Sequence, residues 1–237
     1  MSTATPGTVA EMRRGPAPGR RRRAWPAPVA LAVLSIVPVT AGVLRLVQLA
    51  GGPALIPADP RFPDFPVALV LHIAAAVIFA VAGILQFVPR IRRRHRTWHR
   101  RAGRVLVGAG LVVAGSALWL TLLYPAKPGM GDLVFLVRLL AGAGMAAALV
   151  LGLAAIRRRD IRAHRAWMIR AYALGLGAGT QVVTEGLAGG MFGDGVLVGD
   201  LAMAAGWAIN LAVAEWIVRR EPRPAKAAAR VKAVAPA

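Results

Sequence analysis

The chain has 237 residues, 57% of them hydrophobic, and a mean hydropathy of +0.58, an apolar excess over the roughly 45–50% of soluble domains. Thirty Lys and Arg face ten Asp and Glu, a net charge of +20, and there is no cysteine, which excludes disulfides, iron–sulfur clusters and thiol chemistry. The basic residues lie between apolar runs rather than on one soluble face, so the charge points to membrane topology and away from nucleic acid.

Runs of about 20 apolar residues are long enough to cross a bilayer, and six of them predict an all-α, polytopic transmembrane helix bundle. Residues 1–24 form a Pro/Gly/Arg-rich tail that cannot bury a core and is expected to be disordered in the cytoplasm. The first helix is expected over 25–50, uncleaved and kinked at Pro38. A Pro-rich loop over 51–66 ends it. The second helix covers 67–88, a basic loop 89–104, and the third helix 105–124. After the connection PAKPGMGD come the fourth helix (133–156), a second basic loop (157–165) and the fifth helix (166–187). A Gly-rich turn, the sixth helix (196–218) and a basic cytoplasmic tail (219–237) complete the chain, so the transmembrane domain spans 25–218.

Alternate segments 1–24, 89–104, 157–165 and 219–237 hold 25 of the 30 basic residues. The positive-inside rule then places both termini and both basic loops in the cytoplasm, where the loops meet anionic lipid head groups. Those two loops are also copies of each other. Ile91–Arg100 and Ile156–Arg165 both read IRRR, four residues, then His-Arg, 65 residues apart. The duplication predicts an internal two-helix repeat, the second and third helices matching the fourth and fifth.

Ionisable residues inside spans are costly and ask for a partner or a role. At an outer depth lie Arg45, His72, Arg138 and Glu185, with Gln181 one turn from Glu185 and Thr184 adjacent. Either Glu185 pairs with Arg45 or Arg138 while the other arginine snorkels, or the group forms a polar pocket for an anionic or carbonyl-bearing ligand, with His72 available for protons. At an inner depth, His99-Arg100 and His164-Arg165 match through the repeat. Two imidazoles at one level beside arginines suit a single b-type haem, or a quinone; the same residues also suit lipid phosphates and helix caps. His72 lies 27 residues before His99, too far to share that haem.

His95 has no counterpart in the second copy and is expected to be solvated, while Trp25, Trp98 and Trp167 read as interfacial anchors. Asp200, Trp207 and Asn210 share a face of the last helix. Asn210 is expected to bond to a neighbouring helix, and Glu215 to meet an arginine. Small residues at Gly175-x3-Gly179, Gly186-x3-Gly190 and Ala141–Ala148 suit close helix packing.

His72, Gly83 and Gln86-Phe87, then His99-Arg100-x-x-Gly103-Arg104, then His164-Arg165-x-Trp167-Met168-Ile169-Arg170-x-Tyr172-Ala173-Leu174 resemble a family of bacterial predicted multi-pass membrane proteins known as domain of unknown function 2306. The resemblance covers roughly 66–190 and departs at Leu106, where the family pattern carries an aromatic residue. It implies a multi-pass protein of the bacterial plasma membrane and brings no activity with it. Three readings stay open: a non-enzymatic membrane or accessory protein, a redox module holding a haem b or a quinone between His99 and His164, and a small-solute or proton-coupled transporter using the outer cluster. No phosphate loop, nucleophile–base arrangement or zinc site is present in the sequence, which argues against hydrolytic and transfer enzymes.

Overall fold

The computed structural model describes residues 26–62, 65–126 and 129–220. These form eight helices: α1 (Pro26–Leu49), α2 (Val67–Gln86), α3 (Pro89–Arg94), α4 (Arg96–Leu123), α5 (Asp132–Arg157), α6 (Ile161–Gly175), α7 (Gly177–Phe192) and α8 (Val196–Arg219). The tail expected at 1–24, all but the first two residues of the tail at 219–237, and Trp25 lie outside the described residues. The fold is all-α. Five helices (α1, α2, α4, α5 and α8) are long and apolar enough to cross a membrane. The expected fifth span is instead a pair, α6 and α7, of 15 and 16 residues.

Two antiparallel hairpins, α2 with α4 and α5 with α6, make the most extensive contacts. In the first, a Cβ at Gly110 would lie 2.8 Å from the Phe79 ring. Shifted by 65, those positions are Gly144 and Gly175, which lie near the contact between α5 and α6. A Cβ at Gly144 would lie 3.5 Å from Leu174, and one at Gly175 would lie 3.4 Å from Met145. The core fills the space between the hairpins: Ala75 and Phe79 of α2, Leu106 and Val113 of α4, Met145 and Leu149 of α5, and Tyr172 of α6. Leu106, the departure from the family pattern, is a buried core residue.

The two basic segments are mostly helical rather than loops, and proline makes them differ. Pro89 lacks an N–H and pushes Val88 into extended backbone (φ −78°, ψ 109°), so the helix stops at Gln86 and restarts as α3. In the second copy Ala154 stands at that place and α5 runs on to Arg157. It then closes in a Schellman turn, with Asp160 N–H bonding the Ala155 carbonyl and Arg159 N–H the Ile156 carbonyl, both at 3.0 Å. Arg159 occupies the left-handed position (φ 63°) where glycine is usual. His95 and Asp160 are equivalent after all, since each is the N-cap of the helix that follows. The Asp160 carboxylate accepts from Ala163 N–H at 2.9 Å; the exposed His95 makes no such cap.

The α6–α7 break falls at Leu176, between Gly175 and Gly177, where helix propensity is low. Side chains of α8 replace the lost backbone bonds. Asn210 Nδ2 donates to the Ala173 carbonyl and Trp207 Nε1 to the Leu174 carbonyl, each at 3.1 Å. A Cβ on Gly177 would overlap the Trp207 ring, so glycine is what lets the indole reach its carbonyl. Gly179 similarly lets α1 approach, because a Cβ there would overlap the Leu34 carbonyl. Gly186 and Gly190, the other small-residue pair, face open space.

Candidate functional site

The outer-depth residues sit where the helices bring them, but they do not form one cluster. His72 is in the second turn of α2 and points its Nδ1 at α4, 3.2 Å from the Val113 carbonyl and 3.1 Å from Ser116 Oγ. A carbonyl only accepts, so Nδ1 carries the proton. Ser116 is then free to donate to the Val112 carbonyl at 2.6 Å. The other ring nitrogen, Nε2, makes no hydrogen bond among the described residues.

Arg138 and Gln181 come to the same place from the other side. Gln181 is buried and its amide donates to the Met203 carbonyl at 3.1 Å. Among the described residues the Arg138 guanidinium reaches only thioethers, Met130 Sδ at 3.2 Å and Met203 Sδ at 3.8 Å, which are weak acceptors. Among the described residues no carboxylate forms an ion pair with it. Asp200, buried on α8, caps the start of α5 instead, accepting from Gly131 N–H at 2.9 Å and Val134 N–H at 3.2 Å.

Between these side chains lies a cavity of about 400 Å³, lined by His72, Arg138 and Gln181 together with Arg61, Thr121 and Trp207. Its remaining wall is mostly Ala, Val, Leu and Gly, with no Asp or Glu among the described residues. The broken helix contributes Gly175, Leu176, Ala178 and Gly179 to that wall. Irregular backbone at membrane depth is tolerated where it lines such a space. A second cavity of about 210 Å³ shares Arg61, Thr121 and Arg138 with the first, and continues to Tyr124, Pro125 and Gly131 in the α4–α5 connection. The two arginines therefore stand where one space meets the other.

Arg45 and Glu185 do not line this cavity. Arg45 stays at its own end of α1, donating to Gln48 Oε1 at 2.6 Å and to the Pro57 carbonyl at 2.7 Å, which pins the following loop. Glu185 is on an exposed face of α7 and forms no ion pair among the described residues. Among the described residues Glu185 makes no direct ion pair with Arg45 or Arg138, although its charge acts on Arg138 through space. Arg61 was missed as a site residue because it lies in the Pro-rich loop. Its charge is already answered by Asp59, at 2.6 and 2.9 Å. That hydrogen-bonded guanidinium holds the Asp59 carboxyl below the usual carboxylate range. Thr121 and Trp207 carry no sequence signal for a cavity beyond their positions on apolar helices.

At the basic end, His99 and His164 are each the fourth residue of their helix, α4 and α6. His164 Nδ1 donates to the Gly152 carbonyl at 2.8 Å, tying the start of α6 to α5. Neither histidine lines either cavity. Arg100 is exposed and Arg165 half-buried. Trp167 is turned to the core, with Arg170 4.7 Å above its ring, and Trp98 is exposed. Arg170 binds both oxygens of Glu215 on α8, at 2.5 and 3.2 Å, the arginine contact expected for that carboxylate.

Tyr172 explains part of the motif around it. Its hydroxyl donates to the Ala80 carbonyl at 2.9 Å, and its ring packs on Phe79 and Phe87 with centroids 5.5 and 4.9 Å away. A Cβ on Gly83 would overlap that ring. Gly83, Phe87 and Tyr172 are therefore one interlock between α2 and α6.

No curated protein and no solved structure matches the chain. What does match, over residues 69–218, is the family described as predicted membrane protein (DUF2306), and with more than half of its length covered the chain belongs to that family.

Proposed function

We propose that this membrane protein is a non-enzymatic binding protein or carrier for a small molecule, held in the cavity between its two hairpins. The observation that carries this reading is the convergence of His72, Arg138 and Gln181, from three different helices, on one mostly apolar space of about 400 Å³. Ligand pockets run from roughly 300 to 1,000 Å³, apolar with a few converging polar groups. The positive-inside count supports six crossings, with α6 and α7 together making the fifth, both termini in the cytoplasm of a bacterium and the basic end against anionic head groups. In that orientation the cavity opens toward the outer side.

Mass spectrometry of the protein released from its native membrane tests this. Wild type should carry a bound small molecule, and Ala117→Trp, which fills the cavity from α4, should reach the same abundance without it. Wild type without a bound molecule, or an Ala117→Trp protein that still carries it, would overturn the reading.

One observation favours the redox alternative. A ligating imidazole usually donates its second N–H to a backbone carbonyl, as His164 does to Gly152. If a haem b is held by His99 and His164, protein from haem-replete cells has a Soret band that shifts on reduction and disappears in His164→Ala. Colourless protein removes this alternative.

A further inference from the structure

We propose that the cavity selects a small organic monoanion, a carboxylate on an apolar body, with the carboxylate on the Arg138 guanidinium; this rests on the binding reading above. The charges facing the space decide its sign. Arg61 is answered by Asp59, His72 has Nδ1–H committed to α4, and no Asp or Glu among the described residues lines the wall. Arg138 remains, a half-buried guanidinium with five donors and, among the described residues, only thioether sulfurs to receive them. Asp200 and Glu185 act on it only through space, with no direct ion pair among the described residues, whereas a carboxylate in the cavity matches its planar fork with two parallel hydrogen bonds.

The broken helix adds to the same field. The first turn of α7, through Ala178 and Gly179, forms part of the wall, and the positive end of a helix dipole favours negative charge. The smaller cavity beside it is lined by the same Arg61 and Arg138, which puts positive charge where the two spaces adjoin.

The duplication explains why only one side of the space is left with donors to offer. Ser116 shifted by 65 is Gln181, and His72 shifted by 65 falls one residue short of Arg138. The two copies of the duplicated stretch, the second continued into α7, thus present equivalent positions to the cavity. In the first, His72 is satisfied within its own hairpin, by Val113 and Ser116. In the second, Gln181 bonds to α8 rather than to Arg138, and the guanidinium is left for a ligand. One such group suits one negative charge.

Benzoate and its neutral isostere benzamide are the probes, measured by equilibrium dialysis against the full chain in phosphatidylcholine nanodiscs, with empty nanodiscs as the blank. Benzoate should bind at least about tenfold more tightly than benzamide, and Arg138→Gln should abolish the preference. If Arg138→Gln does not reach the membrane, Arg138→Lys carries the test. It keeps the charge and loses the fork, so a reduced preference for benzoate should persist. Equal binding of the two probes, failure of benzoate to bind, or a full preference in Arg138→Gln overturns the anion inference. Benzamide binding as well as benzoate, blocked by Ala117→Trp, would leave the binding cavity standing while removing its selectivity.

Discussion

Tyr172 and Gly83 are a pair whose roles separate cleanly. Removing the hydroxyl in Tyr172→Phe takes one hydrogen bond from the Ala80 carbonyl and leaves the ring in place, so the cost should be about 0.5–1 kcal/mol. Gly83→Ala puts a methyl group into the ring itself, an overpacking that should cost about 1–3 kcal/mol. Unfolding titrations in mixed micelles should therefore rank Gly83→Ala as the more damaging of the two; the reverse order would mean that the hydroxyl, not the close approach, holds α2 to α6. The identity of these residues was legible in the sequence, because the family-like motif singles them out. Their partnership was not, since 89 residues separate them and nothing local couples a glycine to a distant ring. The same holds for His72 and Ser116, which only helix register brings together.

At the scale of elements, proline and glycine rather than charge set the boundaries. Spans read from apolar runs begin too late after the basic segments, because arginine is a good helix former and α4 and α6 start before their apolar stretches do. The break at Leu176 was hidden for a different reason. Gly-Leu-Gly lowers helix propensity, but what opens the helix is replacement of its bonds by Trp207 and Asn210, on a helix distant in sequence. Truncating both, as Trp207→Phe with Asn210→Ala, should change amide exchange around residues 174–179 more than elsewhere; uniform exchange changes would show that the α8 side chains do not hold the break. The turn after α5 gives an opposite prediction. Arg159 pays for a left-handed backbone, so Arg159→Gly should raise stability by about 1 kcal/mol. A loss of stability there would mean that the arginine side chain matters more than its backbone.

For the whole molecule, the apolar runs made the all-α, membrane-spanning class legible, while the cavity was only half legible. Three of the five outer residues line it, and Arg45 and Glu185 do not. Depth can be read by counting residues, whereas the side of a helix that faces inward depends on packing. The chain has no cysteine, which makes introduced thiols specific reporters. For topology, Ala126→Cys in the α4–α5 connection should react with a membrane-impermeant thiol reagent on intact cells, and Arg158→Cys only after permeabilisation. The opposite pattern would invert the proposed orientation. For the cavity, Thr121→Cys stands where the two spaces meet. Its modification rates with an anionic and a cationic methanethiosulfonate, each divided by the rate with a free small thiol, measure the central claim directly. A water-accessible cavity whose field comes from Arg138 predicts reaction with both and a clear excess for the anionic reagent, lost in Thr121→Cys combined with Arg138→Gln. An unreactive thiol, or one indifferent to reagent charge, would contradict it.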